Sequence, residues 1–179
     1  MDFQTLAAAL QAIAPDPAEK AARNAAHQQW ASIAKPLGSL GLLETALEDI
    51  AALTCSAEVA VTPRSVLLLC ADNGVVRQGV TQTDHTVTAA VTRNAGNNCS
   101  SVCKMAAVAG CRGGPVDMGI IDFPPTPNVL DRRLGNGTGD ITAGPAMTRE
   151  QAERGVLIGI NLVREQKKQG IRLLATGEM

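Results

Sequence analysis

The sequence has 179 residues, 45% of them hydrophobic, and a formal net charge of −1. This length and composition predict one folded domain with at most an appendage and exclude a disordered chain. Aromatic residues make up only 2% and the basic residues form no run, so no nucleic-acid partner is expected. No apolar stretch has the length of a membrane span, and the N-terminus lacks the positive charge of a signal peptide. We therefore expect a soluble cytoplasmic protein with no membrane partner.

The five cysteines are an odd number and lie mostly in apolar or helical surroundings. Cys99 and Cys103 could share a helix face, but His27 and His85 are both remote from them in sequence. We therefore expect reduced cysteines that pack inside the protein. Neither a metal ion nor a cofactor is predicted.

Residues 1–60 are rich in alanine and predict a series of helices. Pro15 interrupts the first helix, and Asp16 or Pro17 can open the next one, which runs towards Trp30. This part of the chain is expected to be helical, whereas strands are expected only after about residue 64.

A turn rich in glycine follows at residues 35–44, which read KPLGSLGLLE. Ser39 is a plausible N-cap for the helix after it. Lys35 and Glu44 are interpreted as turn and helix-surface residues rather than as ligand contacts. The expected apolar stripe of the helix consists of Leu40, Leu43, Leu47 and Ile50.

The pattern changes near residue 64, where Ser65–Ala71 forms a continuous apolar run. Such a run is expected of a strand that is buried on both faces. Thr83 or Asp84 can cap a helix that begins at about His85. Residues 94–98 should interrupt this helix, and a second helix should run to about residue 109.

A second strand is predicted at Pro115–Ile120, after a turn at residues 110–114. Residues 123–144 contain prolines and glycines without periodicity. A loop of this length inside a compact domain is usually functional or mobile.

The last helix is predicted to begin after Thr148, because Thr148 and Gln151 have the spacing of a capping box. Gly170 has the position of a C-terminal cap, and a strand is expected at residues 171–176. Residues 177–179 are expected to form a loop at the mouth of that strand. The predicted apolar face of the helix consists of Ala152, Val156, Ile160 and Val163.

The alternation of strands and helices predicts an α/β fold with a parallel sheet and right-handed crossovers. Ligands of such sheets bind outside the carboxyl ends of the strands. The three strands end in Asp72-Asn73-Gly74, Asp117-Met118-Gly119 and Gly177-Glu178-Met179. Each strand end therefore brings a carboxylate and a nearby glycine to the same edge of the sheet. No dinucleotide-binding fingerprint, P-loop or serine-hydrolase elbow is present. The residue pattern alone predicts a small-molecule site at this edge.

Five segments, in order along the chain, resemble the nicotinate-nucleotide–dimethylbenzimidazole phosphoribosyltransferase family. Each segment alone is a weak signal, but together they cover most of the chain. They read KPLGSLGLLE, ADNGVVRQGVTQTDHTVTA, PVDMGI, GPAMTREQA and ATGEM.

The resemblance implies a Rossmann-like parallel sheet flanked by helices, in residues 61–179, and an N-terminal helical segment, residues 1–60, that belongs to a smaller domain. It implies transfer of phosphoribose from nicotinate mononucleotide to 5,6-dimethylbenzimidazole or a similar base. The products would be nicotinate and α-ribazole phosphate, for assembly of the cobalamin nucleotide loop. A homodimer is implied for the complete protein.

The resemblance also assigns candidate residues. Thr81 and His85 correspond to positions that line the base pocket, although glutamine is common at the position of His85. A histidine bonded locally at a helix N-terminus explains His85 equally well. Glu178 corresponds to a glutamate that helps to hold the nucleotide. Gly177 belongs to the same segment, and Asp72 and Asn73 complete the nucleotide-binding set because they lie at a predicted strand end.

The general-base glutamate of the family belongs to a C-terminal half, so it is expected beyond Met179 and no catalytic residue is assigned in this sequence. We therefore expect a fragment that is inactive alone. The alternative is a non-catalytic nucleotide-binding or partner module.

Overall fold

A computed structural model of the protein describes residues 3–179, and the chain forms two compact units that divide between Ala60 and Val61. The first unit is helical. Its helices are α1 (Phe3–Gln11), α2 (Pro17–Ser32) and α3 (Leu42–Thr54).

Helix α2 begins where the prolines predict it to begin. The Asp16 carboxylate accepts a hydrogen bond from Ala18 N at 2.8 Å, and the Glu19 carboxylate accepts one from Asp16 N at 3.0 Å. Together with Pro17 in the first turn, these bonds satisfy amides that a helix leaves free at its N-terminus. The predicted helix start is confirmed.

Helix α3 differs from the prediction at its start and in its buried face. Its N-cap is Gly41, with φ +56°, and not Ser39. Leu40 and Leu43 of the predicted stripe are 44% and 55% exposed. The buried face is instead centred on Glu44 and Ala51, seven residues apart, because α2 and α3 pack through small alanine side chains. The sequence pattern does not show which neighbour a helix meets.

The second unit contains a sheet of four parallel strands, which confirms the predicted α/β class. The strands lie in the order β3-β2-β1-β4. Their bounds are β1 (Arg64–Ala71), β2 (Cys111–Gly119), β3 (Leu130–Asp131) and β4 (Leu173–Glu178).

A short 3-10 helix and three α-helices connect these strands: Gly74–Gln78, then α4 (Thr86–Gly96), α5 (Ser101–Val108) and α6 (Arg149–Lys168). Asp84 and not Thr83 supports the start of α4, because its carboxylate accepts a hydrogen bond from Thr86 N at 2.9 Å. The predicted interruption before α5 and the capping box of Thr148 with Gln151 are both confirmed.

Strand β2 begins at Cys111, so the predicted turn at residues 110–114 is wrong beyond its first residue. Gly113 pairs with Val66 of β1 and has φ +123°. A Cβ atom at Gly113 would lie 1.8 Å from the Val66 carbonyl oxygen, so only glycine fits this approach of the two strands. Glycines that read as a turn therefore belong to the sheet.

Strand β4 begins later than predicted and extends further. Ile171 N donates to Gln166 O in the C-terminal cap of α6, which delays the strand. Gly177 and Glu178 then pair with β1, so the predicted loop at residues 177–179 is wrong. Even Met179 exchanges backbone hydrogen bonds of 2.9 Å with both Leu69 and Ala71.

The core lies on both faces of the sheet. On one face, Leu68 and Cys70 of β1 pack with α4 and the residues after β2. On the other face, Leu67 and Val116 pack with Leu162 of α6. Strand β1 is therefore buried on both faces, as its apolar run predicts.

The apolar face predicted for α6 is wrong at Val156 and Val163, whereas Ala152 and Ile160 are partly buried. Val156 and Val163 are 48% and 52% exposed, whereas Leu162 is 3% exposed and Ile158 packs beside it. Contact with the sheet determines how the helix is rotated about its axis.

No helix within residues 3–179 combines the length and apolar character that crossing a bilayer requires.

Candidate functional site

The carboxyl ends of three strands meet at one edge of the sheet, as the parallel prediction requires. Asp117 of β2 lies opposite Cys70 of β1, and Glu178 of β4 lies opposite Leu69. Asp72 follows β1 directly, and its amide donates to Gly119 O at 3.2 Å. Parallel sheets bind ligands at this edge, so it is the candidate site.

Asp117 is part of the structural framework of this edge. Its side chain is buried, and one carboxylate oxygen accepts hydrogen bonds of 2.9 Å from both Gly119 N and Ile120 N. The other oxygen lies 3.4 Å from Arg133 Nη1. A buried carboxylate with these partners holds the backbone turn after β2.

Asp72 is bonded in a similar way. Its side chain is buried, and its carboxylate accepts a hydrogen bond from Ile121 N at 2.8 Å. Its backbone oxygen accepts one from Thr138 N at 3.0 Å. Asp72 therefore ties the ends of β1 and β2 to the loop that follows them, and its nucleotide-binding role stays a prediction.

Arg133 is a residue of this edge that the sequence reasoning missed. One terminal nitrogen donates to Phe123 O at 2.5 Å and faces Asp117, and the other donates to Ile120 O at 2.8 Å and to the Asn136 amide oxygen at 2.9 Å. These four acceptors engage all the hydrogens of its two terminal nitrogens. No local signal in the sequence marks it, because its partners lie up to sixteen residues away.

Gly177 and Glu178 reach the same edge from β4. Glu178 is exposed, and within residues 3–179 its carboxylate makes no hydrogen bond or ion pair. Burial raises the pKa of the nearby Cys70 thiol, and the negative charges of Asp117 and Glu178 raise it further. The buried Cys70 thiol is therefore neutral at pH 7.

The loop after β1 carries the other predicted residues. Asn73 is exposed, and its backbone oxygen accepts a hydrogen bond from Val76 N at 3.1 Å at the start of the 3-10 helix. Thr81 is exposed, and its hydroxyl accepts a bond from Thr83 N at 3.4 Å. His85 precedes α4, is exposed, and makes no capping hydrogen bond with its side chain. In the part of the chain that the structure describes, neither Thr81 nor His85 is hydrogen-bonded to the strand ends.

In the helical unit, Glu44 organises the turn at residues 35–44. Its carboxylate lies 2.8 Å from Lys35 Nζ and accepts a hydrogen bond from Leu40 N at 3.0 Å. The Lys35 ammonium and then the Leu40 amide lower the pKa of Glu44. Lys35 also lies 6.0 Å from the centre of the Trp30 ring. Lys35 lies in the turn, as interpreted from the sequence, whereas Glu44 was expected on the helix surface and is instead buried in the first turn of α3.

A cavity of about 260 Å³ lies away from the candidate edge, between α5 and the amino-terminal halves of β1 and β2. It is lined mainly by apolar atoms, with Cys103 and Cys111 among its walls. Among the described residues no group of histidine, cysteine and acidic side chains is arranged to hold a metal ion. All five cysteines are free thiols, but Cys55 and Cys99 are exposed, so the expectation that the cysteines pack inside the protein is wrong for these two.

The parallel sheet flanked by helices defines an α/β protein, and its polar carboxyl edge is where proteins of this class bind ligands. Residues 15–179 match the protein family described as phosphoribosyltransferase, and the chain belongs to this family. The family stated from the sequence motifs is therefore confirmed.

Particular relatives narrow this class. The chain is 38% identical over 148 residues to the nicotinate-nucleotide–dimethylbenzimidazole phosphoribosyltransferase of Acetivibrio thermocellus, a match covering 83% of the chain and 42% of that protein. It is 38% identical to the enzyme of the same name from Salmonella paratyphi A, with coverage of 99% and 49%. The crystal structure of CobT from Thermus thermophilus superimposes with a TM-score of 0.82 at 31% identity, covering 89% of the chain and 48% of CobT. The chain spans about half the length of the relatives that it matches.

Proposed function

We propose that the chain supplies the nucleotide- and base-binding edge of a phosphoribosyltransferase. This enzyme would move phosphoribose from nicotinate mononucleotide to 5,6-dimethylbenzimidazole or a similar base, giving α-ribazole phosphate and nicotinate for the cobalamin nucleotide loop. The observation that carries the proposal is the family match over residues 15–179, together with three strand ends that meet at one polar edge.

The chemistry suits a binding edge of this kind. The bond between the ribose C1′ and the nicotinate ring nitrogen breaks, and its electron pair neutralises the positive charge of that nitrogen. A ring nitrogen of the incoming base forms the new bond to C1′, and a carboxylate removes the proton from the base. We assign no catalytic residue within residues 3–179.

The nucleotide-binding set is Glu178, Gly177, Asp72 and Asn73. Glu178 is supported by its exposed carboxylate, which has no partner within residues 3–179 and can accept hydrogen bonds from ribose hydroxyls. Asn73 is supported by its exposed position at the end of β1. Gly177 and Asp72 lie beside them, and the Asp72 side chain contributes by holding the edge in place.

The base-binding pair is Thr81 and His85. Both are exposed on the segment between the 3-10 helix and α4, and a hydroxyl and an imidazole can each bond to a ring nitrogen of a base. We further propose a homodimer in the cytoplasm that requires no cofactor. These statements rest on the family membership.

Calorimetric titration of the chain with nicotinate mononucleotide tests the proposal. We expect binding by the unmodified chain and a loss of about tenfold in affinity for Glu178→Gln, since a hydrogen bond to a charged group is lost. Glu165→Gln, an equal change of charge on α6, is the control and should bind normally. Equal affinity of the unmodified chain and Glu178→Gln, or no binding at all, would overturn the proposal.

A further inference from the structure

Two loops meet closely beside the candidate edge. A Cβ atom added to Gly74, in the loop after β1, would lie 2.5 Å from the carbonyl carbon of Gly139. Gly74 N also donates to the Thr138 hydroxyl at 3.2 Å. The two backbones approach so closely that no side chain fits at Gly74, so the contact between these loops requires glycine at this position.

A hydrogen bond between two side chains, Gln78 and Asp140, also joins these two loops. Gln78 Nε2 donates to one oxygen of Asp140 at 2.6 Å. The other oxygen of Asp140 accepts bonds from both Thr142 N, at 2.9 Å, and the Thr142 hydroxyl, at 2.8 Å. The bond from Gln78, followed by those from Thr142, lowers the pKa of Asp140, so the acceptor is charged at neutral pH.

The two sides of this contact differ in the backbone hydrogen bonds that each makes within itself. The Asp140 side is braced within itself, since Gly139 N donates to Ala146 O at 2.7 Å and Ala143 N donates to Asp140 O at 3.0 Å. The other side continues from Gln78 into residues 79–85, which are all exposed. The braced loop can therefore serve as an anchor for the exposed segment.

We propose that Gln78 and Asp140 are positioning residues that hold residues 79–85 in place for the acceptor base. The inference rests on the proposed function, because it takes Thr81 and His85 as the base-binding pair. It predicts that breaking the Gln78–Asp140 bond weakens binding of the base and leaves binding of the nucleotide intact.

A swap of the hydrogen-bond donor and acceptor between Gln78 and Asp140, made in the full chain, tests this prediction. Gln78→Glu places two carboxylates against each other, and Gln78→Glu combined with Asp140→Asn restores one donor and one acceptor with the same side-chain lengths. We expect Gln78→Glu to weaken 5,6-dimethylbenzimidazole binding about tenfold and the double variant to restore it. Affinity for nicotinate mononucleotide should change less than about twofold. Gln28→Glu, an exposed glutamine of α2, controls for the added charge.

Hydrogen–deuterium exchange gives a readout that does not depend on ligand binding. The amides of residues 79–85 should exchange faster in Gln78→Glu and return to the original rates in the double variant. Unchanged exchange in Gln78→Glu, or a double variant that restores neither exchange nor affinity, would overturn the positioning role. A different outcome is that amide exchange rises in Gln78→Glu and returns in the double variant, but the chain binds neither nicotinate mononucleotide nor 5,6-dimethylbenzimidazole. This outcome would overturn the proposed function, and with it the role of Gln78 and Asp140 in base binding.

Discussion

The carboxyl ends of β1 and β2 differ from that of β4, although all three carry a carboxylate beside glycine or close to it. Asp72 and Asp117 are each only 3% exposed, and their oxygens accept hydrogen bonds from backbone amides. Glu178 is exposed and has no such partner within residues 3–179. Similar sequence patterns therefore give two framework carboxylates and one available carboxylate.

This difference teaches how to interpret acidic residues at strand ends. A buried carboxylate that already accepts backbone bonds loses stability when it is removed, since the amides are left without acceptors. An exposed carboxylate without partners contributes little to stability and is free to bind a ligand. Effects on stability and on affinity should therefore separate along the edge. Variants at three positions of the edge and at one position of the helical unit test this interpretation.

The largest effect is expected for Asp117→Ala. Removing this carboxylate leaves the Gly119 and Ile120 amides without their acceptor and takes away one of the four acceptors of the Arg133 guanidinium, so the free energy of unfolding should fall by about 3–5 kcal/mol. Urea denaturation measures the change. Asp131→Ala, at the exposed end of β3, is the matched control and should cost less than about 1 kcal/mol. Similar losses for both variants would contradict the framework role of Asp117.

A smaller loss is expected for Asp72→Ala. Ile121 N loses its acceptor, which should reduce the free energy of unfolding by about 2 kcal/mol. Asp72→Asn keeps an oxygen in the same place and should lose less than about 1 kcal/mol in the same denaturation experiment. Normal stability of Asp72→Ala combined with lost binding of nicotinate mononucleotide would group Asp72 with Glu178 instead.

Glu44 extends the comparison to the helical unit and to pH. Its pKa is lower in the folded protein than in the unfolded chain, so its stabilisation is present above the unfolded pKa and is lost as pH falls through the folded pKa. Thermal unfolding followed by fluorescence of Trp30, the single tryptophan, should show this loss as pH falls below the ordinary glutamate pKa of about 4.3. Glu44→Gln should reduce the pH dependence of this melting temperature, and Glu58→Gln, at an exposed position of the same unit, should keep it. If the melting temperatures of Glu44→Gln and of the unmodified chain depended on pH in the same way, Glu44 would not be a framework carboxylate like Asp117.

The smallest effect on stability is expected for Glu178→Gln. An exposed side chain without partners should change the free energy of unfolding by less than about 0.5 kcal/mol, although nucleotide affinity falls. Urea denaturation and calorimetric titration of the same preparation measure the two quantities together. A clear loss of stability would show that Glu178 belongs to the framework after all.

Much of the fold follows from local sequence signals. The apolar run of β1, the capping residues Asp16 and Thr148 and the break before α5 each depend on residues within one or two helical turns. The meeting of three strand ends also follows, because parallel strands bring their carboxyl ends to one edge. These features were predictable since the bonds that form them are close in sequence.

The sequence by itself determined the α/β class, the edge at which the polar residues meet, and the order of the strands and helices along the chain except for β3, which lies in the segment predicted as a loop. Only the tertiary structure decided that Gly113 and Gly177 lie within strands, which face of α6 meets the sheet, and that Arg133 binds the turn after β2. The tertiary structure also separated Asp72 and Asp117 from Glu178. The physical reason is the same in each case, because hydrogen bonds and packing partners distant in sequence decide whether a group is buried and bonded or exposed and available.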